Sequence, residues 1–391
     1  SAIPMMSPIK LEVLFLSQVK GISDANIVLL TSLYAIFMIL FQIPICGILN
    51  KIGKRKCILY GNILKLISII MIGIGKNFVW MVISQLIRSV GFALTRISEN
   101  PLLTASIPET NNKGNIFSRI YGKGYAQYCY ICAISTILSG YLYTINPYIP
   151  IFLCGMATLI STIIGYNFIE IEETKNKEIV TIKENAKNIV DGFKEIVKSE
   201  RLKALLLMIG TIWGLLCLLS TYQTTLLKNM NISATYIGII AAVVQIITGI
   251  SSKKANEFNE KNRNKSLTKM ALGIALGAII IGVIVALEIP IYIQVVLISV
   301  IFCIRHAIKG YFQILKCTYM GNFAYDQMIT KIYACHSVVA NLMRALVGYI
   351  GSIILVYNDI KNSTLIIGIL FTIICMLISK YMKNRVGVEK I

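Results

Sequence analysis

Charge is what this 391-residue chain has least of. Only 14% of its residues are charged, where a soluble protein carries roughly 25%. Acid is scarcer still, with 18 Asp and Glu against 38 Lys and Arg, and there are 2 His. Pro numbers 8 and aromatics make up 9%, so proline-rich disorder and collagen-like repeats are excluded. There is no GxxxxGK[ST], HExxH or GxSxG sequence, hence no phosphate cradle, zinc-protease helix or nucleophile elbow. His306 and His336 have no third ligand at metal-site spacing, so no metal or other cofactor is expected. Of ten scattered cysteines only Cys129 and Cys132 stand in CxxC spacing. Inside an apolar run, that pair reads as small residues at helix contacts rather than redox chemistry.

What the chain does have is apolar length. It is 56% hydrophobic with a mean hydropathy of +0.73. Residues 25–50, 124–169, 204–227 and 229–252 contain no Asp, Glu, Lys or Arg, and about 20 apolar residues cross a bilayer. The fold class is therefore an all-α integral membrane protein. Hydropathy and breakers place spans at about 1–18, 25–50, 57–75, 78–99, 119–144, 148–169, 204–227, 232–252, 267–287, 290–312, 331–357 and 363–380. The first apolar stretch is short, and the start of that span is taken to be missing.

The net charge of +20 does not point to nucleic acid. Residues 170–203 hold 8 acids and 8 bases, so the basic excess lies beside apolar spans, where topology places it. Lys51, Lys54, Arg55 and Lys56 follow span 2, six Lys and Arg lie from Lys253 to Lys269, and Lys380, Lys383, Arg385 and Lys390 close the chain. The other side has only Lys20, Lys76, Lys228 and Lys361. Both termini and the 170–203 connection are thus expected on the cytoplasmic side. Heavy Ile, Lys and Asn usage suits a low-GC bacterium, hence a bacterial cell membrane.

That connection carries Ile182, Ala186, Ile189, Val190, Phe193, Ile196 and Val197 at helical spacing, an amphipathic helix along the interface. It divides the chain into a six-helix bundle over 1–169, the linker 170–203, a second bundle over 204–381 and a tail over 382–391. The halves echo each other. Gly21-Ile22-Ser23 matches Asn231-Ile232-Ser233, Arg119-Ile120-Tyr121 matches Lys331-Ile332-Tyr333, and Ser139-Gly140-Tyr141 matches Val347-Gly348-Tyr349. Three matches in one order at nearly one offset point to duplicated, pseudo-symmetric halves.

Residues 46–56, CGILNKIGKRK, resemble the loop signature of the major facilitator superfamily, Gly-x-Leu-x-Asp-Arg-x-Gly-Arg-Lys-Lys. Lys51 and Gly53 fit its first basic position and second glycine, and Lys54, Arg55 and Lys56 its basic run. Cys46, Ile48 and Asn50 depart from the first glycine, the leucine and the aspartate. Asn50 brings no charge, so a charge-based lock is weaker here. Phe41-Gln42-Ile43-Pro44 is also similar to the superfamily's second span. The fourth-span signature is poor, with Ser89, Arg88 and Gln85 out of place, and the fifth-span Gly-Pro of proton-coupled drug exporters is absent between Ile134 and Gly140. The resemblance covers essentially the whole chain and implies a monomeric twelve-helix secondary transporter of a small-molecule substrate, working by alternating access, with export favoured by analogy to bacterial members.

A charge at mid-membrane costs about 2.5–3.5 kcal/mol or more and marks a functional candidate. These are Lys10, Glu12, Lys65, Arg88, Arg305, His306, His336 and Arg344. Gln85, Arg88, Phe92, Arg96 and Glu99 form one polar stripe roughly 80° wide on span 4, and Tyr333, Ser337, Asn341, Arg344 and Gly348 another on span 11. Arg96 and Glu99, three apart, can pair and are read with Asn50, Lys51, Gly53 and Lys54 as gating residues. The resemblance makes spans 1, 4, 7 and 10 the cavity walls. It therefore selects Lys10, Glu12, Arg88, Phe92 and Arg305 as substrate-cavity residues, with Arg344 flanking; span 7 adds Trp213, Ser220, Gln223 and Thr224.

Glu12 is the only acid well inside a span, and so the candidate for proton coupling. The surplus of buried cations favours an anionic or zwitterionic substrate, which offsets their desolvation. A lipophilic-cation efflux antiporter and a non-transporting sensor on the same fold are the competing readings. A polytopic membrane enzyme fits least, since no nucleophile–base pair or metal set is present.

Overall fold

The computed structural model describes residues 9–105, 113–167, 198–262, 265–287, 289–323 and 329–386, together with 187, 191 and 194. It is all helix: α1 (Ile9–Leu14, continued by a π turn at Phe15–Val19), α2 (Asp24–Ile52), α3 (Lys54–Ile74), α4 (Phe78–Ala105), α5 (Lys113–Ile145), α6 (Tyr148–Tyr166), α7 (Glu200–Asn229), α8 (Ala234–Lys253), α9 (Ala255–Asn262), α10 (Ser266–Ala286), α11 (Ile291–Phe323), α12 (Ile329–Tyr357) and α13 (Ile360–Val386). Eleven of these, all but α1 and α9, are long and apolar enough to cross a bilayer. The chain is a multi-pass membrane protein.

Turn chemistry sets the corners. Gly53 has φ +93° between α2 and α3, a backbone that L side chains resist, which explains the second glycine of the loop signature. Arg55 beyond it stacks 5.0 Å from the Tyr166 ring centroid and donates to the Tyr166 carbonyl, docking the loop on α6. Between α5 and α6, Asn146 Oδ1 accepts from Tyr148 N at 2.9 Å, making the tight turn expected at Asn146-Pro147.

The repeat at Gly21 and Asn231 has a backbone meaning. Gly21 (φ +66°) and Asn231 (φ +56°) both adopt the left-handed conformation that ends the preceding helix. The next residues, Ile22 and Ile232, donate back to Leu16 and Leu227 at 2.9 and 3.1 Å. Helix pairings recur as well: α3 packs on α4 and α6 as α10 packs on α11 and α13, and α2 packs on α4 as α8 packs on α11.

Two long crossings join α1–α6 to α7–α13: α5 on α8 and α2 on α12. Gly140 and Gly348, matched in the repeat, each sit in one of them. A Cβ on Gly140 would lie 2.8 Å from the Ala234 carbonyl oxygen, and Gly348 faces Ser32. At the end of the bundle carrying residues 15–25, Lys228 pairs with Asp24 at 2.5 Å and donates to Ser17 Oγ at 2.8 Å. Ser352 there donates to the Ala25 carbonyl at 2.9 Å. This end is sealed.

Several elements differ from expectation: α4 runs on to Ala105, α5 starts at Lys113 and α13 extends to Val386. α7 begins at Glu200 rather than 204, because Ser199 caps it by accepting from Leu202 N at 3.4 Å and Tyr381 donates to Glu200. α11 continues past 312 to Phe323, since no Gly or Pro interrupts the run from Tyr311 to Met320; Gly310, just before it, packs against α8. The polar helix α9 was not anticipated; Phe258 anchors it by stacking on Tyr311 at 4.5 Å and 11°. The apolar face expected between Ile182 and Val197 lies outside the described residues, as do the side chains of the repeat pair at 119–121 and 331–333 apart from the exposed Ile120.

Candidate functional site

The α1–α4 contact carries the best-defined polar geometry. Arg88 Nη1 donates to both oxygens of Glu12 at 2.8 Å, and Gln85 Nε2 donates to Glu12 Oε1 at 3.1 Å. Both members of the ion pair are 11% exposed in their side chains. Gln85 and Arg88 reach one carboxylate because three residues on a helix share a face. Beside them lies a cavity of about 30 Å³ lined by Glu12, Lys65, Ser68, Arg88, Tyr143 and Cys154, room for about one water.

Lys65 belongs to this cavity, although a single lysine on an apolar span looks like a snorkelling one. It is 5% exposed, donates to Asn62 Oδ1 at 3.4 Å and lies 4.6 Å over the Phe92 ring. Phe92 meets Tyr34 edge-on at 6.1 Å and 87°. Tyr34 in turn carries the Arg344 guanidinium 4.8 Å from its centroid, so Arg344 bridges α12 to α2. Ser337 of the same stripe donates to Gln42 Oε1 at 2.9 Å, a second α12–α2 bond.

In the last six spans, α11 supplies the cations. Arg305, 4% exposed, donates to the Leu219 carbonyl at 2.9 Å and to Gln223 Oε1, and stacks 5.1 Å from Phe302. Gln223 was expected here; Lys309 and Lys316 were not. Lys309, one turn beyond Arg305, lies within electrostatic reach of Cys129 and Cys132 of α5, Cys217 of α7 and Arg305. Lys316 sits 4.9 Å over Trp213 and 5.9 Å from Phe312, with His336 within electrostatic reach. The i, i+4 spacing 305–309 was visible in the sequence. Ending span 10 at 312 left Lys316 looking like a topology charge.

Other candidates place less neatly. Arg96 is exposed, and the side chains of Lys10, Asn50, Lys51, Glu99 and Tyr333 lie outside the described residues. Cys129 and Cys132 are buried, with Cys129 against Gly249 of α8, as small contact residues should be. His306 accepts from or donates to Thr248 Oγ1 at 3.1 Å and holds α11 against α8. Among the described residues no three His, Cys, Asp or Glu gather as a metal site.

A family model for the Major Facilitator Superfamily matches residues 4–315. The chain belongs to the major facilitator superfamily. It is a secondary transporter and not an enzyme. Its fold is similar to that of the nucleoside transporter NupG (TM-score 0.74, 12% identity, 97% of this chain and 95% of that one). It is similar too to a POT family transporter in complex with 5-aminolevulinic acid (TM-score 0.74, 12% identity, 97% and 92%). A bacterial homolog of the human lysosomal transporter Spinster also matches (TM-score 0.68, 14% identity, 97% and 94%). No curated protein sequence matches.

In a superfamily transporter the Lys228–Asp24 pair has a testable weight, because its partners belong to α2 and α7, in different halves of the chain, and must part if the sealed end opens. A hydrogen bond to a charged group contributes about 1.5–3 kcal/mol. Lys228→Met is therefore expected to shift the equilibrium toward the open end about 10-fold to 100-fold, read by spin-label distances across that end. The swap Asp24→Lys with Lys228→Asp should restore the distance distribution; an unchanged distribution in Lys228→Met would show that the pair does not hold the seal.

Proposed function

We propose that this transporter moves a small anionic or zwitterionic solute by alternating access, its two six-helix halves rocking about the α5–α8 and α2–α12 crossings. The observation that carries the reading is charge balance. Among the described residues Glu12 is the only acid at membrane depth, and Arg88 already occupies it. Arg305, Lys309 and Arg344 have no carboxylate partner among the described residues. Arg305 is buried and Lys309 and Arg344 are half-buried, and cations at this depth without counter-charge favour a ligand that brings one.

The Lys and Arg count assigns the sealed end to the non-cytoplasmic side, so the conformation is closed outward, and the loop at Asn50, Lys51, Gly53 and Lys54 belongs to the cytoplasmic gate with Arg96 and Glu99. Glu12 couples protons by exchanging its bond to Arg88 for a proton. By analogy with bacterial members the direction is export across a bacterial cell membrane.

A thermal-shift screen of purified protein against anionic, zwitterionic and lipophilic cationic compounds tests the reading. A ligand at 100 times its Kd adds about 2.7 kcal/mol to stability. Anionic or zwitterionic hits should appear and be lost in Arg305→Gln. Lipophilic cations that stabilise both forms would overturn the reading and favour a drug exporter.

A further inference from the structure

The α11 cations say more than that the solute is negative. Arg305 and Lys309 are four apart, on one face of α11. The groups that face them come from three helices. From α7 they are the Leu219 carbonyl, the Gln223 amide and Cys217; from α5, Cys129 and Cys132; and from α11 itself, Phe302. None of these is a carboxylate. The carbonyl and amide oxygens satisfy guanidinium N–H donors but cancel no charge.

By contrast, Arg88 in the first six spans reaches its acid within the protein. Two cations one turn apart repel one another, and burial raises the cost most for Arg305, with Lys309 half-buried beside it. One negative charge would relieve one of them and leave the other. Arg344 is engaged separately, over Tyr34.

From this we infer that the site on α11 takes a solute whose polar end carries two negative charges, such as a phosphomonoester or a dicarboxylate, with Arg305 binding in fork geometry and Lys309 as the second point charge. The inference rests on the anionic reading of the cavity and sharpens it. Gln223 and the Leu219 carbonyl hold Arg305 when no solute is present, and the solute takes over from Gln223.

Matched pairs of probes that differ by one charge test it: succinate against succinamate, and phenyl phosphate against phenyl sulfate. They are read by thermal shift at pH 8, where the phosphate is a dianion. The dianion of each pair should bind about 10-fold to 100-fold more tightly, the range of one hydrogen bond to a charged group. Lys309→Gln should bring the two members of a pair together while anion binding persists, and Lys309→Arg should recover the preference. Melting of the unliganded variants shows that they fold.

Equal affinity within each pair in the unmodified protein would overturn the dianion assignment and leave the anionic reading standing. A preference that survives Lys309→Gln would overturn the role of Lys309. Absence of stabilisation by every anionic probe would overturn both the inference and the reading beneath it.

Discussion

Glu12→Gln is expected to destabilise the folded transporter by about 3–5 kcal/mol, the range for removing one partner of a buried pair. The carboxylate accepts from Arg88 at 2.8 Å through both oxygens and from Gln85 at 3.1 Å. A glutamine can keep one of those bonds but leaves the guanidinium charge uncompensated in a cavity with space for about one water. Arg88→Gln should cost a similar amount by stranding the acid. The double variant should recover much of the loss, because neutral partners avoid the uncompensated charge. Unfolding in detergent micelles across the four proteins gives the coupling directly. Additive single effects would show that the two side chains do not act as a pair. In transport, Glu12→Gln protein that folds should still exchange solute across the membrane while losing accumulation driven by a pH gradient. Undiminished accumulation would remove Glu12 from coupling.

This pair also marks where the sequence was legible and where it was not. Periodicity put Gln85 and Arg88 on one stripe, and scarcity of acid singled out Glu12. Neither says that the stripe meets α1, because a helical pattern names a face and not the neighbour across from it. Lys65, named as a mid-membrane charge, was not placed in the cavity for the same reason: within the apolar run of α3 it has the pattern of a snorkelling lysine, and only the packing of α3 against α4 brings it over Phe92. Lys309 and Lys316 were hidden by a boundary, since a cation near a span end is also what topology demands. The turns, by contrast, were readable. The glycine in the 46–56 loop and the Gly21–Asn231 match each became a positive φ, which few residue types adopt.

The other large effect is expected at Gly140. Its Cβ would lie 2.8 Å from the Ala234 carbonyl oxygen and 3.1 Å from Gly238 Cα; a Cβ on Gly238 would lie 2.8 Å from the Thr136 carbonyl oxygen. These obstacles are backbone, which cannot rotate away as a side-chain tip can, so α5 and α8 must separate. Overpacking of this kind costs about 1–3 kcal/mol. The crossing joins the two halves, so strain there falls on the sealed arrangement more than on either half alone. Gly140→Val should therefore open the sealed end, with spin labels at Asn146 and Asn231 moving apart and transport falling. Gly124→Val provides the contrast on the same helix, because nothing lies within 4 Å of a Cβ there. Gly348, the repeat partner of Gly140, faces the Ser32 side chain, which can turn aside. Gly348→Ala should be milder than Gly140→Ala, although both glycines hold a crossing between halves. If Gly140→Val leaves the label distance unchanged, close packing of α5 on α8 is not what keeps this end shut, and the Lys228–Asp24 pair with the neighbouring Ser17 and Ser352 bonds must carry the seal.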